Sequence, residues 1–244
     1  MPFTPQRRRD PELLDLPGGA HAPGELAGCL ADIRKVNRYL GGTRSVLMHF
    51  SEMVAGMGRI SPGHTVKVLD VGAGSADIPI ALAERARELG VNIKITAVDI
   101  NHHVAGYAKR YAKGYPEISF AAADGRNLPF PDGCFDIALC SLTLHHLSEE
   151  DSRTMIGNLA RVAKEGYVVC DLRRSYVAYA LIYMLTRLLT KNRLTRYDGP
   201  LSVLRSYTHC ELAALASGAG LSGFRVVKHP FWRMALVGGR ACRT

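Results

Sequence analysis

Three aspartates and two glycines are spaced so that they could grip a nucleoside. Asp70 ends the apolar, β-branched run of residues 66–70, Gly72 and Gly74 follow at once, and helical spacing begins near Asp77. A strand, a tight turn and a helix N-terminus in that order hold nucleoside-bearing cofactors at the edge of a parallel sheet. Glycine suits the turn because a backbone without Cβ takes unusual φ/ψ values and lets a ligand approach. Asp99 closes a second strand-like run, residues 93–99, with Ile100 and Asn101 after it. An acid there accepts hydrogen bonds from ribose hydroxyls, or else caps the helix that starts near His102. A third run, residues 119–124, ends in Asp124 with Gly125 behind it.

The turn itself narrows the ligand. A dinucleotide fingerprint starting at Gly72 needs a glycine at position 77, where Asp77 stands, and no Gly-Lys-Ser/Thr follows to make a P-loop. A carboxylate at the start of that helix repels a pyrophosphate where the helix dipole would otherwise attract one. S-adenosylmethionine carries no phosphate and fits an acidic turn better.

VLDVGAGSA, AVDIN and ADGRNLPFPDGCFDIALCSLTLHHL resemble the successive motifs of the class I S-adenosylmethionine-dependent methyltransferases, over residues 66–171. The family often has a third glycine where this chain has Ala76. The resemblance implies that Asp70, Gly72, Ala73 and Gly74 face the methionine end of the cofactor. It implies that Asp99 binds the ribose, that Ile100 is among the cofactor-binding residues, that Asp124 and Gly125 sit by the adenine, and that Cys140 and Ser141 line the cofactor at the mouth of strand four. The implied fold is α/β, a doubly wound, Rossmann-like, seven-stranded and mostly parallel sheet.

Methyl transfer to an alcohol or phenol needs a base, and Leu144-His145-His146-Leu147 supplies one just past strand four. Asp171, at the end of strand five, opens on the same rim and can orient an imidazole and stabilise its protonated form. His145 with Asp171 is the first choice and His146 the second, against a role for both histidines in local packing only. With a reference pKa of about 6.5 against about 10 for a phenol, imidazole suits proton removal concerted with transfer.

These residues need elements to carry them. Residues 25–40 have helical spacing, stopped by Gly41-Gly42, and Thr43 can cap a second helix to about residue 57. Residues 59–64 turn into strand one. Helices are expected over 77–88, 102–113, 151–163 and 210–217, a strand over 166–171, and a closing antiparallel pair over 224–228 and 234–238. The arm before residue 24 is rich in proline, and Arg7-Arg8-Arg9 reads as solvated charge or as a tail folded over an anionic group. Residues 1–60 thus form an arm and covering helices, and residues 61–244 the cofactor-binding domain. An insert of about residues 173–200 follows strand five. Residues 173–196 hold six basic residues and no acid around an apolar middle. The insert reads as a helix packed on the N-terminal helices, a lid over the substrate, or a basic amphipathic helix touching a membrane surface. Tyr176, Tyr179 and Tyr183 lie at helical spacing on it and either touch an aromatic acceptor or pack.

The 244 residues carry a net charge of +9. No basic stretch is interleaved with aromatics to stack bases, which counts against nucleic acid. The six cysteines (Cys29, Cys134, Cys140, Cys170, Cys210, Cys242) show no C-x-x-C and no metal-ligand spacing, as in a reduced, cytoplasmic protein without a metal site. No apolar run reaches the ~20 residues of a membrane span. PELLDLP, VNRYLGG, the insert and YDGPLS resemble bacterial small-molecule methyltransferases found alongside polyketide synthesis, which implies O-methylation of an apolar phenol. The quinone-type C-methyltransferases, which LPFPDGCFD also resembles, are the alternative, with RNA or protein methylation behind them.

Overall fold

The computed structural model describes residues 4–16, 22–58 and 63–239. Pro2, Pro17, most of the expected 59–64 turn and Cys242 lie outside the described residues. Seven strands form one sheet in the order β3-β2-β1-β4-β5-β7-β6: β1 (Thr65–Val71), β2 (Asn92–Asp99), β3 (Ile118–Ala122), β4 (Phe135–Ser141), β5 (Ala163–Leu172), β6 (Phe224–His229) and β7 (Arg233–Gly239). The first five are parallel, and β7 runs antiparallel to both β5 and β6. Strand order reverses between β1 and β4, which opens a crevice at their carboxyl ends.

Side-chain alternation splits the core in two. Val66, Val68, Ile137, Leu139 and Val168 point to the face covered by α2 (Gly42–Gly56) and α3 (Asp77–Glu88), where they meet Phe50, Met53, Ile78 and Leu82. Leu69, Val71, Ala138, Cys140 and Val169 point the other way, against Met155, Ile156 and Leu159 of α5 (Glu149–Val162) and Leu212 and Leu215 of α8 (His209–Gly218). All seven residues of β4 are buried. That burial on both faces is the mark of a central parallel strand.

Several boundaries differ from the sequence reading. Pro23 opens α1 (Pro23–Tyr39), at the first-turn position where its missing N–H costs nothing. Thr43 does not cap α2; Gly41 does, at φ 76°. The helix after β2, α4 (His102–Tyr111), is capped by Asn101, whose side chain accepts from the amides of His103 and Val104. Asp99 is therefore not the cap. The insert is two helices, α6 (Tyr176–Leu189) and α7 (Arg193–Arg205). Pro200 sits inside α7. The carbonyl it leaves without an amide, that of Arg196, accepts from Arg187 Nη1 at 3.4 Å. Both insert helices are tied to α1 through Asp32, which accepts from the hydroxyls of Thr190 and Thr195 at 2.6 and 3.0 Å.

Candidate active site

A cavity of about 700 Å³ lies over the carboxyl ends of β1, β2 and β4, roofed by α1, the insert and the N-terminal arm. Its floor is the turn after β1. Gly72 and Gly74 have φ of 73° and 53°, and Ala76, at the expected third-glycine position, takes the same left-handed backbone at 63°. The turn keeps its shape with alanine there, at a cost of about 1–2 kcal/mol. Asp99 accepts from the Gly74 amide at 2.9 Å and from the Asn101 amide at 2.8 Å, so the end of β2 holds the turn in place. Burial lifts the Asp99 carboxyl above its ordinary range against those bonds.

Asp70 is 1% exposed, and neither of its carboxylate oxygens has a partner among the described residues. Burial, with Asp77 and Asp99 nearby, pushes it well above the usual carboxylate range. Three carboxylates at one end of a cavity favour a cationic ligand group and repel an anionic one. Ser141 Oγ, Asn37 Oδ1 and Arg233 Nη2 are likewise buried without partners, and all three residues line the cavity. Gly42 leaves room for that pair, since a Cβ there would come within 2.6 Å of Asn37 Oδ1 and 2.9 Å of Arg233 Nη1.

Ala73, Ile100, Asp124 and Gly125 also line the cavity. Ile100 is 61% exposed and offers an uncovered apolar surface. The Asp124 carboxylate is already engaged by Arg126, 2.7 Å away, whose guanidinium keeps it below its usual range. Cys140 is a correction. The strand alternation that brings Ser141 to the cavity turns Cys140 into the core behind it, 1% exposed, and burial raises its thiol.

At the other end Leu142, in left-handed backbone (φ 54°), starts the turn that carries His145. His145 is 3% exposed. Its Nδ1 lies 2.7 Å from Asp171 Oδ1, and its amide donates to Asp171 Oδ2 at 3.0 Å. Burial alone would raise the Asp171 carboxyl, but His145 and two backbone amides hold it below the ordinary value. An ionised Asp171 takes the Nδ1 proton as donor and leaves Nε2 as the free lone pair. Asp171 lies behind His145 and does not line the cavity.

The N-terminal arm brings residues that local spacing could not reveal. Glu12 is 2% exposed, its Oε1 is 3.7 Å from His145 Nε2, and it accepts from Ser202 at 3.0 Å. His146 sits 2.8 Å from Asp15; burial opposes its protonation, but Glu12 and Asp15 outweigh it and raise its pKa to about 9. Arg7 is not solvated: it donates to the carbonyls of Arg205 and Leu147 at 2.6 and 2.9 Å and stacks on Tyr207. Glu12, His145 and His146 offer ligand atoms within 4.8 Å of one another, a grouping hidden because the arm is far away in sequence. Arg205 Nε, 3.7 Å from Glu12 Oε1, already places a cation against that carboxylate. Tyr176 and Tyr183 face solvent, and Ile182, Leu185 and Thr186 are the α6 residues that reach the cavity.

Residues 68–166 match the methyltransferase domain family. The demethylmenaquinone methyltransferase of Bacillus licheniformis is 31% identical over 176 residues, 67% of this chain and 72% of that protein. The chain belongs to the class I S-adenosylmethionine-dependent methyltransferases. The ubiquinone/menaquinone biosynthesis C-methyltransferase UbiE of Rickettsia bellii is 37% identical over 78 residues, so the chain spans about a third of that relative (32%, and 31% of this chain). Human N-acetylserotonin methyltransferase, solved in complex with S-adenosylmethionine, shares the fold with a TM-score of 0.59 at 22% identity, over 89% of this chain and 56% of that one.

The residues present fit the methyltransferase cofactor. Its amino-acid end carries one ammonium and one carboxylate, and the cavity holds an unpaired buried carboxylate, Asp70, and an unpaired buried guanidinium nitrogen, on Arg233. Arg233, at the start of β7, was missed in the sequence because no motif surrounds it. A basic residue opening a late strand is its only local signal.

Proposed function

We propose that the protein transfers the methyl group of S-adenosylmethionine to a hydroxyl, phenolic in character, of an apolar small molecule, with His145 as general base. The observation that carries this is the buried His145–Asp171 contact at 2.7 Å beside the cofactor crevice. In this reading Asp70 and the Gly72–Ala73–Gly74 turn receive the ammonium end of the cofactor, with Ser141 beside them. Arg233 receives its carboxylate, Asp99 its ribose hydroxyls, and Ile100, Asp124 and Gly125 border its adenine. The described parts of residues 1–60 and the insert of about 173–200 cover the acceptor, while the described sheet domain, residues 63–239, carries the cofactor.

Bound there, S-adenosylmethionine supplies an electrophilic methyl group on a sulfonium. The chain's task is to align the acceptor oxygen, exclude water and take away one proton. His145 Nε2 accepts the hydroxyl proton as the oxygen becomes nucleophilic. The imidazolium so formed lies between Asp171 on Nδ1 and Glu12 near Nε2, two carboxylates that stabilise it. Arg205 and Arg7 hold the carbonyls of His145, His146 and Leu147, which fixes the ring relative to the crevice.

A second reading is favoured by the names of the two quinone-pathway relatives: transfer to a ring carbon beside such a hydroxyl. The same base serves it, because removing the phenolic proton also makes the ortho carbon nucleophilic. A turnover screen decides between them. Release of S-adenosylhomocysteine is measured with phenols, catechols, reduced quinone precursors and bulk tRNA, and products are identified by NMR. An O-methyl ether supports the first reading, a C-methyl product the second, and a preference for tRNA sinks both.

A further inference from the structure

Helix α6 is more apolar than its surroundings justify. Leu181, Met184 and Leu188 are 44%, 55% and 79% exposed, although a soluble helix normally turns such a stripe inward. Their inner edges are walls of a second cavity, of about 280 Å³, between α6, the end of α1 and the β6–β7 turn. Leu40, Ala178 and Trp232 complete much of its lining. The aliphatic walls are joined by Arg173 and by Arg233, whose Nε is taken by the Leu40 carbonyl at 3.1 Å.

The second cavity adjoins the first across a shared wall. Val36, Leu172, Ile182, Leu185, Val203 and Arg233 line both. On one side of that wall lies the cavity that holds the polar cluster around His145, and on the other a largely aliphatic slot that opens at the bare face of α6. The turn that closes it is costly to make: Phe231 and Trp232 both adopt left-handed backbone, φ 56° and 51°, where bulky residues are strained. Both line the slot, and the Trp232 carbonyl is pinned by the Arg173 amide at 2.7 Å.

We propose that this slot is a subsite for an aliphatic tail on the methyl acceptor. The acceptor is an amphiphile whose hydroxylated ring meets His145 and whose hydrocarbon chain runs between α1 and α6. The proposal rests on the hydroxyl-acceptor reading for the position of the ring alone. The slot and its tail are tested separately from it.

Trp232 is the single tryptophan of the chain, so its emission reports the slot directly. The protein, with S-adenosylhomocysteine bound, is titrated with 4-alkylphenols from methyl to nonyl, and kcat/KM is measured for the same series with S-adenosylmethionine. We expect a saturable blue shift with nonylphenol and none with 4-methylphenol. kcat/KM should rise about fourfold per added methylene until the slot is full. Ala178→Phe, which fills the slot, and Met184→Glu, on the exposed rim and safe for folding, should each collapse the long-to-short ratio of kcat/KM at least tenfold and remove the shift.

Emission and rates that ignore chain length, or a shift that survives both variants, overturn the proposal. So does a sedimentation mass of two chains that Met184→Glu returns to one, because a second copy then covers the face. A chain-dependent shift with no turnover of any phenol supports the subsite and refutes the hydroxyl-acceptor reading. Turnover without chain dependence does the reverse.

Discussion

The two ends of the main cavity are built on opposite terms. At the cofactor end, buried polar atoms stand without partners among the described residues: both oxygens of Asp70, Ser141 Oγ, Asn37 Oδ1 and a nitrogen of Arg233. At the acceptor end the polar groups are tied together. His145 is held by Asp171, its carbonyl by Arg205 and Arg7, and Glu12 by Ser202 and Arg205. Unmet buried groups cost free energy until a ligand meets them, so the first end is completed by what it binds. The second is preorganised, as a site must be if it is to hold a base in one orientation while a proton moves. The cofactor end should therefore respond to substitution through affinity, and the acceptor end through rate.

The largest effect belongs to the preorganised end. His145→Ala should lower kcat by about 10²–10³, with the affinity for S-adenosylmethionine unchanged in calorimetry. A fall in kcat of less than tenfold at the pH optimum removes the general base from the mechanism. At the cofactor end the pattern should reverse. Asp99→Ala loses acceptor oxygens for ribose and the clamp on the Gly74 amide. The dissociation constant for S-adenosylmethionine should rise about 10–100-fold, as for loss of hydrogen bonds to a charged group. Full affinity in that variant would undo the assignment of the whole crevice.

Arg233 tests whether the division follows space or sequence. It lies on β7 among elements that otherwise build the acceptor end, yet its unpartnered nitrogen belongs with the cofactor set. Burial lowers its pKa to about 10, a sign of a cation held out of water. Arg233→Met should weaken S-adenosylmethionine binding about tenfold, less than Asp99→Ala, because Asn37 stays beside the same end. The melting temperature of the free protein should stay level or rise, since a buried charge without full pairing gives way to a methionine. A drop in melting temperature with unchanged affinity would make Arg233 a structural residue only.

How much of this could be read from the chain follows the same division. The cofactor end is made of short motifs, each a strand end and the residues just after it, so Asp70, the glycine turn and Asp99 were legible along with the sheet that carries them. Local reading failed where a neighbouring rule intervened. Cys140 lies one residue from Ser141, and the period of a strand sends it to the other face. Asp124 is claimed by Arg126, two positions on. The acceptor end was legible only in His145 and Asp171. Glu12 and Arg205 come from the arm and α7, and nothing in their own surroundings marks them. Burial there is a property of the assembled fold. Helix α7 overlaps the insert that reads as one helix in the sequence, and Pro200 is tolerated inside it because the Arg187 side chain of another helix takes the carbonyl that proline leaves free.

His146 is where the preorganised end has a measurable electrostatic cost. Its pKa is raised to about 9 because Glu12 and Asp15 favour the imidazolium more than burial opposes it. A base whose pKa is higher in the folded state than in the unfolded chain binds its proton more tightly when folded. Its contribution is complete below the unfolded value of about 6.5 and is lost as pH rises through about 9. Stability from urea titrations should thus fall between those limits by on the order of 3 kcal/mol, and His146→Gln should flatten the slope. The sign separates this histidine from His49 and His229, which lie 2.9 Å apart and are both lowered, chiefly by burial. That pair costs stability as pH drops below about 6.5 and is silent in the alkaline window. A slope that persists in His146→Gln would mean that another group carries the alkaline loss and that His146 is not the charged partner of Glu12 and Asp15.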